Sequence, residues 1–276
     1  MENRLNELNG SQWLYWTNTI YETNFPPDLT FSLRKKHGAM KPPELMAEII
    51  AFFTKSGESV FDPFAGVGGT LLGAELVGRQ ALGVELNPLW VGIYQRLAEE
   101  YRQQAGTLVA RDGERRGKKL QARMVQGDCL AVMRDLEPES VAAIITDPPY
   151  GCNHRVTGFR NETNFNMFSA EPADFGNCRT YDEYLKKVGS FGKEAFRILQ
   201  PRRYLVLLIG DRFHQGEYLP LGTLVAEELR KNGFKWKGLR IWWNKATQRP
   251  LKPYAIKSCF VPNITHQNIL IMRKEE

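Results

Sequence analysis

Cysteine is scarce in this 276-residue chain. The four, Cys129, Cys152, Cys178 and Cys259, lie far apart, with no Cys-x-x-Cys pair. That spacing supports no disulfide framework and offers no ligand set for structural zinc. Long apolar runs are lacking too: no stretch approaches the roughly 18 residues a membrane helix needs. The opening MENRLNELNGSQWLYW has no basic segment followed by an apolar one, so no signal peptide is expected there. Repeats and low-complexity tracts are also missing. The expectation is a cytoplasmic protein with reduced cysteines and no membrane association. The charge excess is small, 37 basic against 31 acidic residues, or +6. It is compatible with a polyanionic partner without requiring one. Hydrophobic residues make up 42%, too many for a disordered chain.

What is present is alternation of strand-like and helix-like segments, the pattern of a parallel sheet covered by helices. Residues 43–55 carry Leu45, Ile49, Ile50 and Phe53 at helical spacing. A strand at 59–61 ends at Asp62, and a glycine-rich turn leads into a helix at 71–77 closed by Gly78. Further strands are expected at 80–84, 122–128, 141–146, 204–209, 239–243 and 267–272, seven in all, with the last two antiparallel to each other. Helices are expected at 89–104, 181–199 and 221–232. Residues 105–120 read as a polar, basic surface loop. The chain reads as one domain over 1–276, with an N-terminal extension at 1–35 and an inserted loop at 151–179 that has no period.

The turn Asp62-Pro63-Phe64-Ala65-Gly66-Val67-Gly68-Gly69-Thr70 lies between a strand and a helix. Its glycines let the backbone turn sharply and approach a ligand. Glu85, 23 residues after Asp62, ends the next strand, where a carboxylate can accept from both ribose hydroxyls of a nucleoside. A dinucleotide fingerprint fails, because Leu71 stands where the third glycine belongs. An acid ahead of the turn would repel a pyrophosphate and attract an ammonium group. The ligand that combines a nucleoside with a charged amino acid end is S-adenosyl-L-methionine. Asp128, ending the third strand next to Cys129, can accept from the adenine amine; it is equally a helix N-cap.

Asp147-Pro148-Pro149-Tyr150 follows the fourth strand. The prolines remove two backbone donors and fix φ. They leave carbonyl oxygens for the cleft beside a carboxylate and an aromatic ring. Such acceptors suit an exocyclic amine of a planar base. Its N–H groups would donate to Asp147 and the Pro148 carbonyl, freeing the lone pair for attack on a methyl, while Tyr150 stacks on the base. Such a base must be single-stranded or flipped out. The chemistry is positioning and electrostatics and calls for no metal.

These residues resemble the N6-adenine and N4-cytosine amino-methyltransferases of DNA. FDPFAGVGGT is similar to their cofactor-binding motif, GVELNP (with Glu85, Leu86 and Asn87) to their ribose-binding motif, and TDPPYG to their catalytic motif. KHGAMKPPELMAEII, at 36–50, resembles the segment ahead of the cofactor turn and brings His37 toward the methionine end; a turn or cap histidine is an equal reading. The resemblance implies a Rossmann-like α/β methyltransferase fold, a seven-stranded, mostly parallel sheet with an antiparallel last strand. It implies S-adenosyl-L-methionine as cofactor and DNA as substrate, with adenine N6 favoured and cytosine N4 as the alternative. The chain departs from many members in placing the cofactor half first and in lacking a long target-recognition domain.

Arg155, Arg160 and Arg179, among Phe159, Phe165, Phe168 and Phe175, are candidate nucleic-acid contacts, as are Lys245 and Arg249 near Trp242 and Trp243. A solvated charge or a packed phenylalanine is the competing reading for each. Two rival functions remain: an RNA guanine-N2 methyltransferase acting on tRNA, and a non-catalytic nucleic-acid-binding subunit. A homodimer and a cognate restriction enzyme stay open as partners.

Overall fold

The computed structural model describes residues 3–111, 117–150, 169–246 and 260–276. In chain order the elements are α1 (Gly10–Trp16), β1 (Ile20–Thr23), α2 (Phe31–Arg34), α3 (Pro43–Phe53), β2 (Ser59–Asp62), α4 (Gly69–Leu76), β3 (Gln80–Glu85) and α5 (Pro88–Glu100). Three short strands follow, β4 (Tyr101–Gln104), β5 (Thr107–Ala110) and β6 (Lys118–Lys119). Then come β7 (Arg123–Gln126), α6 (Cys129–Asp135), β8 (Val141–Thr146), α7 (Tyr181–Ile198) and β9 (Leu199–Ile209). The chain continues through β10 (Arg212–His214), β11 (Glu217–Leu219), α8 (Leu221–Lys231), β12 (Lys235–Asn244) and β13 (Gln267–Arg273).

The main sheet runs β1-β12-β13-β9-β8-β2-β3-β7. β13 is antiparallel to both neighbours, and every other pairing is parallel. The expected antiparallel last strand is therefore present, and β12 runs with the parallel set. The sheet has eight strands rather than seven, because β1, from the N-terminal extension, pairs with β12. Local pattern gives no hint of that pairing: Ile20 meets Ile241, some 220 residues away.

Strand residues alternate between two apolar layers. Val60, Ala143, Ile145, Val206 and Leu208 pack under α3, while Phe61, Ile144, Leu205, Leu207 and Ile209 pack under α6, α7 and α8. Both faces of β8 are covered, which is why VAAIIT is an unbroken apolar run, buried at all six positions. Two expectations are corrected. α5 ends at Glu100, residues Tyr101–Gln104 form β4 instead of helix, and the stretch read as a loop supplies β5 and β6, which flank β4 in an antiparallel sheet, β5-β4-β6. Its first turn is Ala105-Gly106, both at positive φ (47° and 78°). A two-residue hairpin needs that conformation, and Ala does not advertise it.

The strand order places the site. β2 lies between β3 and β8, and the chain crosses to opposite sides from there. Ligand crevices in open α/β sheets form at such a switch, beyond the carboxyl ends of the strands. Asp62 ends β2, Glu85 ends β3 and Asp147 follows β8, so one edge collects all three.

Candidate functional site

Asp62 is 2% exposed. Its carboxylate accepts from Thr146 Oγ1 at 2.5 Å and from the Phe64 amide at 3.0 Å, and Thr70 also donates to it. Burial pushes the carboxyl up to about 6, against these donors. Asp62 thus braces the turn that it begins. Pro63 is buried beside it, and Ala65 ties the turn to β3 through its amide and the Val84 carbonyl, at 2.9 Å. Gly66 and Gly68 sit at φ 53° and 81°. A Cβ at Gly68 would lie 2.2 Å from the Tyr94 ring, so only glycine fits.

Glu85 closes the turn from the next strand. Oε2 accepts from the Gly66 amide at 2.9 Å and Oε1 from the Asn87 amide at 2.7 Å. Burial raises its carboxyl to about 7, and the amides offset part of that. Leu86 is half-buried, and Asn87 caps α5 by accepting from the Leu89 amide at 3.0 Å. Asp128 caps α6 in the same way through the Leu130 amide, at 3.0 Å. The Gly127 amide, next to Asp128, donates to the Glu85 carbonyl at 3.0 Å. Cys129 is buried, and its thiol is pushed up by desolvation. His37 lies edge-on to Trp90 (ring centroids 4.9 Å apart) and against Gly66, where an added Cβ would stand 3.2 Å from Nε2. Its Nδ1 has no hydrogen-bond partner among the described residues, and burial, Lys41 and Arg34 lower its pKa to about 4.

Asp147 lies at the other wall. Its Oδ1 accepts from the Tyr150 hydroxyl and its Oδ2 from the Lys41 ammonium. Burial raises the carboxyl, while Lys41 and Tyr150 hold it down. Lys41 Nζ is also 3.1 Å from Tyr150 Oη and 5.6 Å from that ring's centroid. Gln267, at the start of β13, donates to Tyr150 Oη at 2.8 Å. Pro148 is buried. The Pro149 carbonyl is not free for the cleft, because Tyr184 Oη donates to it at 2.8 Å and so fastens DPPY to α7.

Sequence reasoning missed Lys41, Gln267 and Tyr184. Lys41 lies within the segment 36–50 that resembles the lead-in to the cofactor turn, but nothing local marks its partner 106 residues away. For Phe175, open between base contact and packing, the structure shows a core residue. It is 2% exposed and packs against Phe64 and Tyr184, with centroids 4.9 and 6.2 Å apart. Arg179 is exposed. Lys245 pairs with Glu22 and lies 5.0 Å from the centroid of the half-exposed Trp243, whereas Trp242 is buried. Arg155, Arg160 and Arg249 fall outside the described residues, as do Phe159, Phe165 and Phe168.

A Rossmann-like sheet with a braced glycine turn, acids ending β2 and β3, and a DPPY exit from β8 defines the class of nucleoside-cofactor methyltransferases. A family model described as DNA methylase, of the N6/N4 type, matches residues 3–96 and 141–276. The chain belongs to that family and is an S-adenosyl-L-methionine-dependent methyltransferase. The residues present fit this cofactor: the Glu85 carboxylate at the end of β3, a turn whose Gly66 and Gly68 leave its backbone open, and beside it His37 Nδ1, without a partner among the described residues.

Two curated relatives are named tRNA (guanine(10)-N2)-dimethyltransferase. The one from Methanocaldococcus jannaschii is 32% identical over 120 residues, covering 41% of this chain and 29% of the relative. The one from Methanothermobacter thermautotrophicus is 30% identical over 132 residues, covering 48% and 33%. The chain thus spans about a third of the length of these relatives. Among solved structures, TrmN from Thermus thermophilus aligns with TM-score 0.49 and 14% identity, over 88% of this chain and 53% of TrmN. A DNA modification methylase structure from Thermus thermophilus, in complex with S-adenosyl-L-methionine, aligns with TM-score 0.37 and 25% identity, over 54% of each chain. Among the described residues no helix is long and apolar enough to cross a membrane.

Proposed function

We propose that this methyltransferase acts on an exocyclic base amine in DNA, adenine N6 first and cytosine N4 second. The carrying observation is the Asp147 carboxylate beside the Tyr150 ring, one strand from the braced cofactor turn. When bound, S-adenosyl-L-methionine supplies a methyl group activated on sulfonium. Asp62, Gly66, Gly68 and Thr70 shape the turn that faces it. Glu85, with Leu86 and Asn87 behind it, receives the ribose hydroxyls; Asp128 and Cys129 border the adenine, and His37 the methionine end. Asp147 accepts from the target amine and thereby frees the nitrogen lone pair. Tyr150, held through its hydroxyl, offers its ring face for stacking. The base reaches this slot unpaired or flipped out.

A second reading, guanine N2 in tRNA, is favoured by the names of the two partial relatives. The family match extends over far more of the chain and supports the DNA reading. The test is incubation with labelled cofactor and either DNA or tRNA, followed by nucleoside analysis. N6-methyladenine in DNA, absent with Asp147→Ala, is the expected product. Methylated guanine in tRNA with none in DNA would replace the first reading by the second.

A further inference from the structure

Lys41 sits just ahead of α3, and its side chain is 7% exposed. Its ammonium is enclosed by Asp147, the Tyr150 ring and the Trp242 ring, whose centroid is 6.0 Å away. Burying a lysine is costly unless a charge and hydrogen bonds compensate, so a cation here has to be held. The backbone does hold it. The fully buried Arg34 donates to the Lys41 carbonyl at 3.0 Å. Gly69, in the cofactor turn, leaves room for that same carbonyl: an added Cβ would stand 2.8 Å from it. The cofactor turn and the DPPY exit therefore share Lys41 as a joint. Gln267 pins Tyr150 from the far side, and its Oε1 has no partner among the described residues.

The chemistry of the pair is specific. Lys41 Nζ is a donor and Asp147 an acceptor, side by side next to an aromatic face. Adenine N6 and cytosine N4 present the complementary edge, an amine donor beside a ring-nitrogen acceptor. Guanine N2 is flanked by an acceptor on one side and an N–H donor on the other.

We propose that Lys41 is a specificity-determining residue of the base pocket, donating to the ring nitrogen beside the target amine while Asp147 accepts from the amine. This rests on the proposed base-amine reading and extends it. In the empty site Lys41 occupies Oδ2 and keeps the carboxylate facing the slot. The incoming amine takes over that oxygen, and the ammonium shifts to the neighbouring ring nitrogen. Covering that nitrogen's lone pair leaves the exocyclic amine as the atom that forms the new N–C bond as the C–S bond breaks and its electron pair stays on sulfur; the methylated amine then gives its proton to the Asp147 carboxylate that accepts from it.

The test compares oligonucleotides carrying adenine or 1-deazaadenine at the target position, in which a C–H replaces the ring nitrogen. Wild type is expected to methylate the deaza substrate about 10- to 100-fold more slowly, the worth of one hydrogen bond to a charged donor. Lys41→Met is expected to methylate both alike and slowly, with cofactor affinity by calorimetry within about threefold of wild type, an allowance set by the weak coupling expected between sites that share only a backbone joint. Equal rates with wild type would overturn the proposal without any variant, so a poorly folded Lys41→Met cannot shelter it. Discrimination that persists in Lys41→Met overturns it too. Nucleoside analysis of unmodified substrates comes first. If the methylated base is cytosine or guanine, the adenine reading fails, and the 3-deaza analogue of that base puts Lys41 to the same comparison. Wild type that methylates no base overturns both.

Discussion

The carboxyl ends of β2 and β8 are neighbours, and each presents an aspartate, Asp62 buried and Asp147 partly exposed, yet the two are held in opposite ways. Asp62 is satisfied by neutral donors, two of them close in the chain: the Phe64 amide and Thr70. Asp147 is held by a cation from 106 residues upstream and by a tyrosine that Gln267 fixes from 117 residues downstream. The first arrangement makes a cradle braced by neutral donors around an acid, suited to a cofactor that is always the same. The second sets a charged, exchangeable donor beside the acceptor, which suits a substrate that must enter and leave. Charge-assisted bonds are the stronger kind, so Lys41 can give up its place on Asp147 only while it gains another acceptor.

The sharpest way to break this comparison is Asp147→Ala. It should lower methyl transfer by about 10²- to 10³-fold, the usual cost of losing one preorganised electrostatic group, with cofactor binding nearly unchanged. Labelled-methyl incorporation and calorimetry measure the two separately. An equal loss of cofactor affinity would mean that the β2 and β8 ends work as one unit.

Gly68→Ala should act on the other side. A methyl at φ 81° and 2.2 Å from the Tyr94 ring forces strain worth roughly 1–3 kcal/mol. Thermal unfolding should register the lost stability and calorimetry a lost cofactor site.

Glu85 gives a pH signature confined to the cofactor half. Its carboxyl rises from the ordinary 4.5 to about 7 in the fold. The folded chain thus keeps a proton that the unfolded chain has released, so this contribution to stability is complete below about pH 4.5 and lost as pH rises through 7. Cofactor affinity should move the other way, weakening below about pH 7 as the ribose acceptor becomes protonated. Glu85→Gln should flatten both profiles, and a retained slope would assign the titration elsewhere.

The smallest effect belongs to the outer edge. Lys245 is half-exposed and paired with Glu22 near the surface, so Lys245→Ala should change stability by less than about 0.5 kcal/mol. If it meets a phosphate, the salt dependence of DNA affinity should fall by about one unit of slope. Binding isotherms at several salt concentrations decide this.

Much of the cofactor half was legible because its partners are local: a strand ending in Asp62, glycines that must turn, and an acid at the next strand end. DPPY was legible as well, since two prolines after an apolar strand leave few alternatives. The Ala105-Gly106 hairpin was not, because Ala gives no sign of positive φ. Phe175 stayed open between two readings because a phenylalanine among arginines looks the same whether it stacks on a base or packs beneath Phe64.

Composition and pattern by themselves determined the layered α/β fold, the glycine turn after β2 and the place of Asp147 at the end of β8, since each follows from residues within one turn or one strand of each other. Only tertiary structure decided that an N-terminal strand completes the sheet, that Tyr184 takes the Pro149 carbonyl and that Lys41 rests on Asp147. Those contacts join segments that sequence spacing leaves unrelated, and they exist because burial makes a lone charge or an unpaired carbonyl too costly to keep.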